Sequence, residues 1–451
     1  MSWFPLGHAT WLVEAAGLRL LFDPVLGPTH HAGVYEVHPP REIDAAALEA
    51  DFLLISHRHT DHFDLPSLKA LRKLDAASVV VSPDPLVLWA AEALGFETTH
   101  ALPAGQHLRL DGVEIVTTPS VAPDEWGAMV ACQGATAWNQ IDSAMKSGAE
   151  LRAVVQQGLE AIRAAHPALD LALVRWQPML EVAAVLGEPT AFPFRSYAGL
   201  LSQLRELPAH TVCPTACGAR RTARYGWLNR HAYPLTEGKF CADAAALGFE
   251  VLRPVLGAGY RVSPGTTSLD LGAGDRYVTA VGPREEHDYA PFETPPLSDP
   301  GLSARPVAVQ RARNRGFVEG TLARSLLRAF PAMESARPLT FQVEVVYPDT
   351  TEAFAIRVSN DGVEVQREVA DWDFLNQVSG SFLFEVVEGR WQWGDGLLGG
   401  LLRASSRGYA FDGSGIRRAR VGKTFLYYGL PYDIAEERAI RSEVKRLVSA
   451  P

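Results

Sequence analysis

Apolar and polar positions along this chain follow two periods, and the changes of period mark its elements. Trp11-Leu12-Val13-Glu14 and Leu18-Arg19-Leu20-Leu21-Phe22 predict two strands around an Ala-Ala-Gly turn, and the run Phe52-Leu53-Leu54-Ile55 predicts a buried third. Leu65 to Lys73 predicts a helix, Ser78 to Val81 a strand, Pro85 to Leu94 a helix and Val113 to Val116 a strand. Gly127 to Trp138 carries a Gln133-Gly134 turn. An amphipathic stretch from Ser143 to Ala165 precedes a strand at Leu171 to Val174, and Val212-Cys213-Pro214 ends one more. Strands and helices therefore alternate, which predicts an α/β architecture.

The pattern changes after residue 281. Gly282 to Pro306 holds six prolines and several acids and reads as a linker. Beyond it, Thr340 to Val346 alternates apolar with polar, and Ala353 to Val358 pairs with Val363 to Val369 through Asn360-Asp361-Gly362, a hairpin signal. The apolar stretch Phe374 to Val387 and the segments to Arg407 complete a small α+β unit. The expected organisation is a domain over 1–281, a Pro-rich linker over 282–309 and an α+β domain over 310–451.

Composition narrows the function. With 451 residues, 47% hydrophobic and 21% charged, the chain is long enough for two or three cores. A net charge of −10 opposes a broad footprint on nucleic acid or on an anionic membrane. No apolar run reaches the ~18 residues of a membrane span, and the first residues lack a secretory pattern, so the expected address is the cytoplasm. Cys132, Cys213, Cys217 and Cys241 are too scattered for a disulfide framework and read as reduced thiols. The expected partner is a small-molecule substrate, and a homo-oligomer is compatible with this composition.

One stretch breaks the bland pattern. Ser56-His57-Arg58-His59-Thr60-Asp61-His62-Phe63-Asp64 puts three histidines and two acids directly after a buried strand. A chain that only turned a corner there would use Gly, Pro or Asn, without the desolvation cost of clustered ionisable groups. In H-x-H-x-D-H, His57 and His59 lie on one side of an extended backbone and can reach one ion, while Asp61 and His62 turn toward a second. Two metals about 3.5–4 Å apart can share a bridging carboxylate.

Gly7-His8-Ala9-Thr10-Trp11-Leu12-Val13, Phe22-Asp23-Pro24 and Ser56 to His62 together resemble the metallo-β-lactamase-fold superfamily. More narrowly, Asp23-Pro24-Val25-Leu26-Gly27-Pro28 and Val37-His38-Pro39-Pro40 resemble the metal domain of the cytidine-monophosphate-N-acetylneuraminate hydroxylases. The resemblance runs on through Val121-Ala122-Pro123-Asp124, Trp138-Asn139-Gln140-Ile141-Asp142, Ala191-Phe192-Pro193 and Val212-Cys213-Pro214. It implies an αββα sandwich and metal contacts at His57, His59, Asp61 and His62, with Asp142 as the bridging carboxylate.

Superfamily hydrolases place a histidine shortly after the strand that here ends at Thr117-Thr118-Pro119. This chain offers Asp124 or Glu125 instead, and a carboxylate there makes the site harder and shifts its preference from zinc toward iron or manganese. A last histidine is expected after Val212-Cys213-Pro214, where the chain reads Thr215-Ala216-Cys217. His231 is the first choice and Cys217 the alternative. His8 and Asp23 would orient ligands by hydrogen bonds. His30, His31 and His38 predict a polar rim. Arg220, Arg221, Arg224 and Arg230 predict a solvated basic face, or else a hold for an anionic substrate.

The second domain resembles a sterol-carrier-protein-2-type module, on Gly389-Arg390-Trp391-Gln392-Trp393 and Ser405-Ser406-Arg407-Gly408-Tyr409. Such modules enclose an apolar cavity, although a scaffold or dimerisation role is the plainer expectation.

Three function classes follow. The first is an oxygenase with two irons, in which Asp61 and His62 sit at the reacting metal. The second is a hydrolase of a lactone, ester or phosphodiester that uses a metal-bound hydroxide. The third, a binding protein with a degraded site, is opposed by the intact motif. The named hydroxylases also carry a Rieske cluster with C-x-H and C-x-x-H ligand pairs, and neither pattern occurs here, so an oxygenase would need a separate electron-donor protein. The expected cofactor is therefore a pair of metal ions, iron ahead of zinc or manganese.

Overall fold

The structure is a computed structural model that describes residues 1–449 except 123–124, 163–167, 179–191, 230–232, 285–293, 334, 336, 408, 413–414 and 419–431. The described residues form two compact units, one of residues 1–178, 192–284 and 446–449 and one of residues 294–445.

The first unit is built on two sheets. One has eight strands in the order Thr266–Asp270, Gly259–Ser263, Ser2–Gly7, Thr10–Ala15, Leu18–Phe22, Phe52–Leu54, Val79–Ser82 and Thr98–Ala101. The other has seven, in the order His107–Leu110, Val113–Pro119, Trp126–Cys132, Ala135–Asn139, Leu169–Val174, Ala209–Pro214 and Glu250–Val251. Their inner faces share one buried cluster, to which Trp11, Phe22 and Leu54 come from the first sheet and Ile115, Trp126 and Leu171 from the second. Pro85–Leu94 packs on the outer face of the first sheet, against Val79–Ser82, and Leu65–Leu74 packs beside it. Gly148–Ala161, Phe194–Arg205 and Glu237–Ala246 cover the second, where Val155, Leu204 and Phe240 meet Trp138 and Ala172. This is the αββα sandwich that the resemblance implies.

Local chemistry explains the boundaries. Ala15 lies opposite Leu18, so Ala16 and Gly17 make a two-residue hairpin turn, both with positive φ. Gln133 and Gly134 do the same between Cys132 and Ala135. Asp64 caps the helix Leu65–Leu74 by accepting from Ser67 N at 3.0 Å, with Pro66 in its first turn. The amphipathic stretch from Ser143 is helical only over Gly148–Ala161, because Ser147 caps there by accepting from Glu150 N. The residues ahead of the cap are spent on turns: Ser143 N donates to Gln140 O and Ala144 N to Ser120 Oγ.

The strand Phe52–Leu54 runs parallel between Leu18–Phe22 and Val79–Ser82. Its carboxyl end, followed by the motif, is where open parallel sheets place their ligands.

In the second unit a five-stranded sheet runs Gly362–Gln366, Thr351–Ser359, Leu339–Val346, Phe374–Ser379 and Leu402–Ser406, with one parallel pair, Leu339–Val346 beside Phe374–Ser379. The expected hairpin pairs Ser359 with Gly362. The apolar stretch from Phe374 changes from strand to helix at Ser379, whose hydroxyl accepts from Phe382 N. Asp299 is tied into this unit by Ser379 and Ser381, and a helix starts at Val307. Among the described residues no helix is long and apolar enough to cross a membrane.

Candidate metal centre

The motif loop leaves the buried strand at Ile55, whose N–H bonds Val81 O, and closes with His62 N and Phe63 N donating to His59 O at 2.9 and 2.8 Å. That tight turn brings His57, His59, Asp61 and His62 to one place. Nε2 of His57 lies 2.8 Å from Nδ1 of His59. Nε2 of His62 lies 3.4 Å from Asp61 Oδ2 and 3.3 Å from Asp142 Oδ2, and His57 Nε2 lies 4.0 Å from the same Asp142 oxygen. Asp142 arrives from the second sheet. Past Ala135–Asn139 the chain turns through Ile141, whose N–H bonds Asn139 Oδ1, while Gln140 bonds Leu173 O and Arg175 N.

Asp23, fully buried, organises the imidazoles from behind. Its carboxylate accepts from Ser56 N at 2.8 Å, from Ser56 Oγ at 2.9 Å and from His62 Nδ1 at 2.8 Å. Because Ser56 gives its one hydroxyl proton to Asp23, its oxygen accepts the 2.9 Å bond from His57 Nδ1. Both Nδ1 atoms are thereby engaged and both Nε2 atoms face the cluster, so a metal that displaces the second proton of His62 would find a lone pair on each ring. Donors sharing one ion with arms of about 2.0–2.2 Å should lie roughly 2.8–3.6 Å apart, the span from right-angle to tetrahedral coordination. The His62–Asp61 and His62–Asp142 separations match that spacing, and His57, His62 and Asp142 offer donor atoms within 4.8 Å of one another, so the residues fit a metal.

The electrostatics have the same cause. Burial works against charging His62, yet Asp61, Asp142 and Asp23 together hold its pKa well above the ordinary value. Burial would raise Asp61 and Asp142, but His62 outweighs it, aided by His8 and His31 at Asp61 and by His57 at Asp142, and both carboxyls stay below the usual range. Burial, with His62 and His59 beside it, pushes His57 down. A cluster that holds a proton among three carboxylates has a place for a cation, and a bound metal would displace that proton.

The remaining expected positions divide. Asp124 and His231 lie outside the described residues. Glu125 is described: burial raises its pKa, Ser120 Oγ donates to it, and the charges of Asp142 and His59 both reach it. Cys217 lines a neighbouring cavity, while Cys213 is buried and its thiol pKa is raised by burial. Arg220 pairs with Glu36 at 3.0 Å, and Arg221 is buried over the rings of Tyr35 and Tyr233. Arg224 is exposed, and Arg230 lies outside the described residues.

The expectation of a polar rim is corrected for His30 and His31. His30 is 5% exposed, stacked between His8 and Tyr35, and hydrogen-bonded to His31 at 2.7 Å. His31 Nε2 comes within 3.9 Å of Asp61 Oδ1. The loop folds inward because Tyr35–Val37 pairs with Ala219–Arg221, which draws it against the site. No local pattern could show this; only the pairing of residues nearly two hundred positions apart does. His8 Nε2 lies 3.1 Å from Asp61 Oδ2, and beside it opens a cavity of about 100 Å³ walled by Trp11, Trp176, Tyr233 and Leu235.

Among the described residues, eight other than glycine have left-handed φ, and six of them, His8, Asp23, His31, Ala32, Ile141 and Ala216, sit in the loops around this centre. Backbone strain concentrated in this way is typical of functional sites.

Residues 2–142 match the family described as Beta-lactamase superfamily domain. Curated relatives include an uncharacterized protein of Mycobacterium tuberculosis, 41% identical over 86 residues that make up 18% of this chain and 22% of the relative. The cytidine monophosphate-N-acetylneuraminic acid hydroxylase of Danio rerio is 34% identical over 122 residues, 24% of this chain and 21% of the relative. A metal-dependent hydrolase of Pyrobaculum calidifontis is 31% identical over 157 residues, 34% of this chain and 64% of the relative. The chain thus spans about a fifth of the length of the first two.

Proposed function

We propose that the first unit is a dinuclear metal enzyme, an iron-dependent oxygenase that hydroxylates a small molecule. The carrying observation is Glu125, a half-buried carboxylate beside His59 and Asp142, at the place where superfamily hydrolases have an imidazole. With Asp61 and Asp142 it gives a donor set rich in hard oxygen, which suits iron better than zinc. His57, His59, Asp142 and Glu125 would hold one ion, and Asp61, His62 and Asp142 the other.

When bound, the iron pair supplies the activation of O2. The rest falls to the chain. Asp23 and Ser56 keep the imidazoles in the ligating tautomer, and the apolar walls of the cavity beside His8 take a compact organic substrate and exclude water. Inserting one oxygen atom into a C–H bond and reducing the other to water consumes two electrons and two protons beyond the substrate, and a separate donor protein would deliver them.

The likeness to the Pyrobaculum protein favours a second reading, hydrolysis by metal-bound hydroxide. Metal analysis of protein purified without added metal, followed by oxygen uptake with reductant, separates the two. About two irons per chain and substrate-stimulated O2 consumption support the oxygenase. Two zincs, with anaerobic turnover of a lactone, ester or phosphodiester and no reductant, overturn it.

A further inference from the structure

Among the described residues, the loop after Ala209–Pro214 reads Thr215, Ala216, Cys217 and Gly218 and offers no imidazole to the ion that Asp61 and His62 would hold. From the geometry we infer that His8, which packs against that loop at Gly218, is a direct ligand of that ion. The inference deepens the dinuclear reading above and rests on it.

Three observations carry it. His8, Asp61 and His62 offer donor atoms that all lie within 4.8 Å of one another. The His8 Nε2 to Asp61 Oδ2 separation of 3.1 Å falls in the range of roughly 2.8–3.6 Å expected of two donors on one ion, as does the 3.4 Å from that oxygen to His62 Nε2. Asp61 Oδ2 is thus flanked on both sides by imidazole nitrogens at ligand-to-ligand spacing.

The second observation is how His8 is held. It follows Gly7 and adopts φ +49°, a left-handed conformation uncommon outside glycine. The third is what holds it. A Cβ built on Gly218 would lie 2.8 Å from the His8 nitrogen and 3.0 Å from its Cα, so the loop expected to bring a histidine instead presses its bare backbone against His8. The imidazole is supplied from the amino-terminal strand, and the loop after Pro214 has become its buttress.

His8 differs from His57 and His62 on its far side. Their Nδ1 atoms are secured through Asp23, whereas Nδ1 of His8 is enclosed without a partner among the described residues. The Nε2 lone pair is therefore less reinforced, and this imidazole should contribute less affinity than either of the others.

The test uses the full chain stripped with chelator and refilled with zinc, comparing wild type with His8→Asn. Asparagine tolerates the left-handed backbone but removes the imidazole. Thermal melts of the metal-free proteins should coincide, which shows that the variant folds. Wild type should retain two zincs after dialysis and His8→Asn one, with an affinity loss of about tenfold or more at the emptied position. Refilled at excess zinc, His8→Asn should also lose imidazole scattering in its zinc-edge X-ray absorption, a change that the loss of a mere hydrogen bond to Asp61 would not produce. Two tightly held zincs in His8→Asn, or unchanged imidazole scattering, overturns the assignment. Loss of zinc in His231→Ala with retention in His8→Asn returns the position to His231. A wild-type chain that binds a single zinc overturns the dinuclear reading itself, a result distinct from either.

Discussion

Each unit buries carboxylates, and the two units resolve that burial in opposite ways. In the first, Asp61 and Asp142 stay ionised below the usual range because His62 lies within 3.4 Å of both. In the second, Asp395 stands at the start of the helix Trp393–Leu398, where its Oδ2 accepts from Gln392 N at 2.9 Å and its Oδ1 meets no partner among the described residues. Burial raises its pKa to about 7, only partly offset by that hydrogen bond and reinforced by the charge of Glu443. Depth is similar in the two places and the sign is not. Neighbours decide whether a buried acid keeps its charge, and a cluster that keeps several acids charged around one protonated imidazole is suited to a metal.

The sharpest way to break this comparison is to remove the shared acid. Asp142→Ala takes away the oxygen common to both ion positions, so metal content should fall to one ion or none per chain, with affinity down by a hundredfold or more on the scale of about 3 kcal/mol for a buried charge left unpaired. Metal analysis after dialysis, with circular dichroism as the fold control, checks it. Two retained metals would refute the bridge.

The next largest effect belongs to Asp395. The folded state favours its protonated form, so between the ordinary pKa of 3.8 and about 7 folding takes up a proton, and stability is lost as pH rises through that window. Asp395→Asn cannot titrate. Its unfolding free energy should exceed that of wild type by roughly 2–4 kcal/mol at pH 8 and by little near pH 4, on the scale of 1.36 kcal/mol per pKa unit. Denaturant midpoints at the two pH values measure this, and equal midpoints at pH 8 would place a countercharge beside Asp395.

Asp23→Asn should leave the direct ligands in place but upset both tautomers, weakening metal about 10–100-fold. Competition with a chelator reads it. The smallest effect is expected of Ser56→Ala, which frees only His57 Nδ1 and costs about 1 kcal/mol of metal affinity. Equal losses in these two variants would mean that Asp23 acts through Ser56 alone.

What was legible in the sequence was local. The period-two strands around Ala16-Gly17, the hairpin at Gln133-Gly134 and the spacing of His57, His59, Asp61 and His62 are statements about neighbours, and the structure brings those four side chains together with Asp142. Two features were less readable because a long-range term overrides the local one. The stretch from Ser143 has helical periodicity, yet its first residues serve the turn that carries Asp142. The helix Gly380–Val387 is buried on every side, so it has no polar face from which a period could be read. The inward fold of His30 and His31 and the approach of His8 to Asp61 depend on strand pairings and glycine contacts between residues about two hundred positions apart, for which a single chain gives no signal.

The left-handed residues around the centre bear on how such a protein would change over generations. Ala32 and Ala216 hold positive φ without being among the donors, and at each a glycine would relieve roughly 1 kcal/mol of backbone strain. A lineage still selected for the reaction has reason to keep the stiffer residue, since added freedom at Ala32 or Ala216 would loosen the loops that aim His31 and Gly218. A lineage released from that selection has none. Descendants that have fallen silent should therefore drift toward glycine and asparagine at these two positions before their metal-binding motif decays.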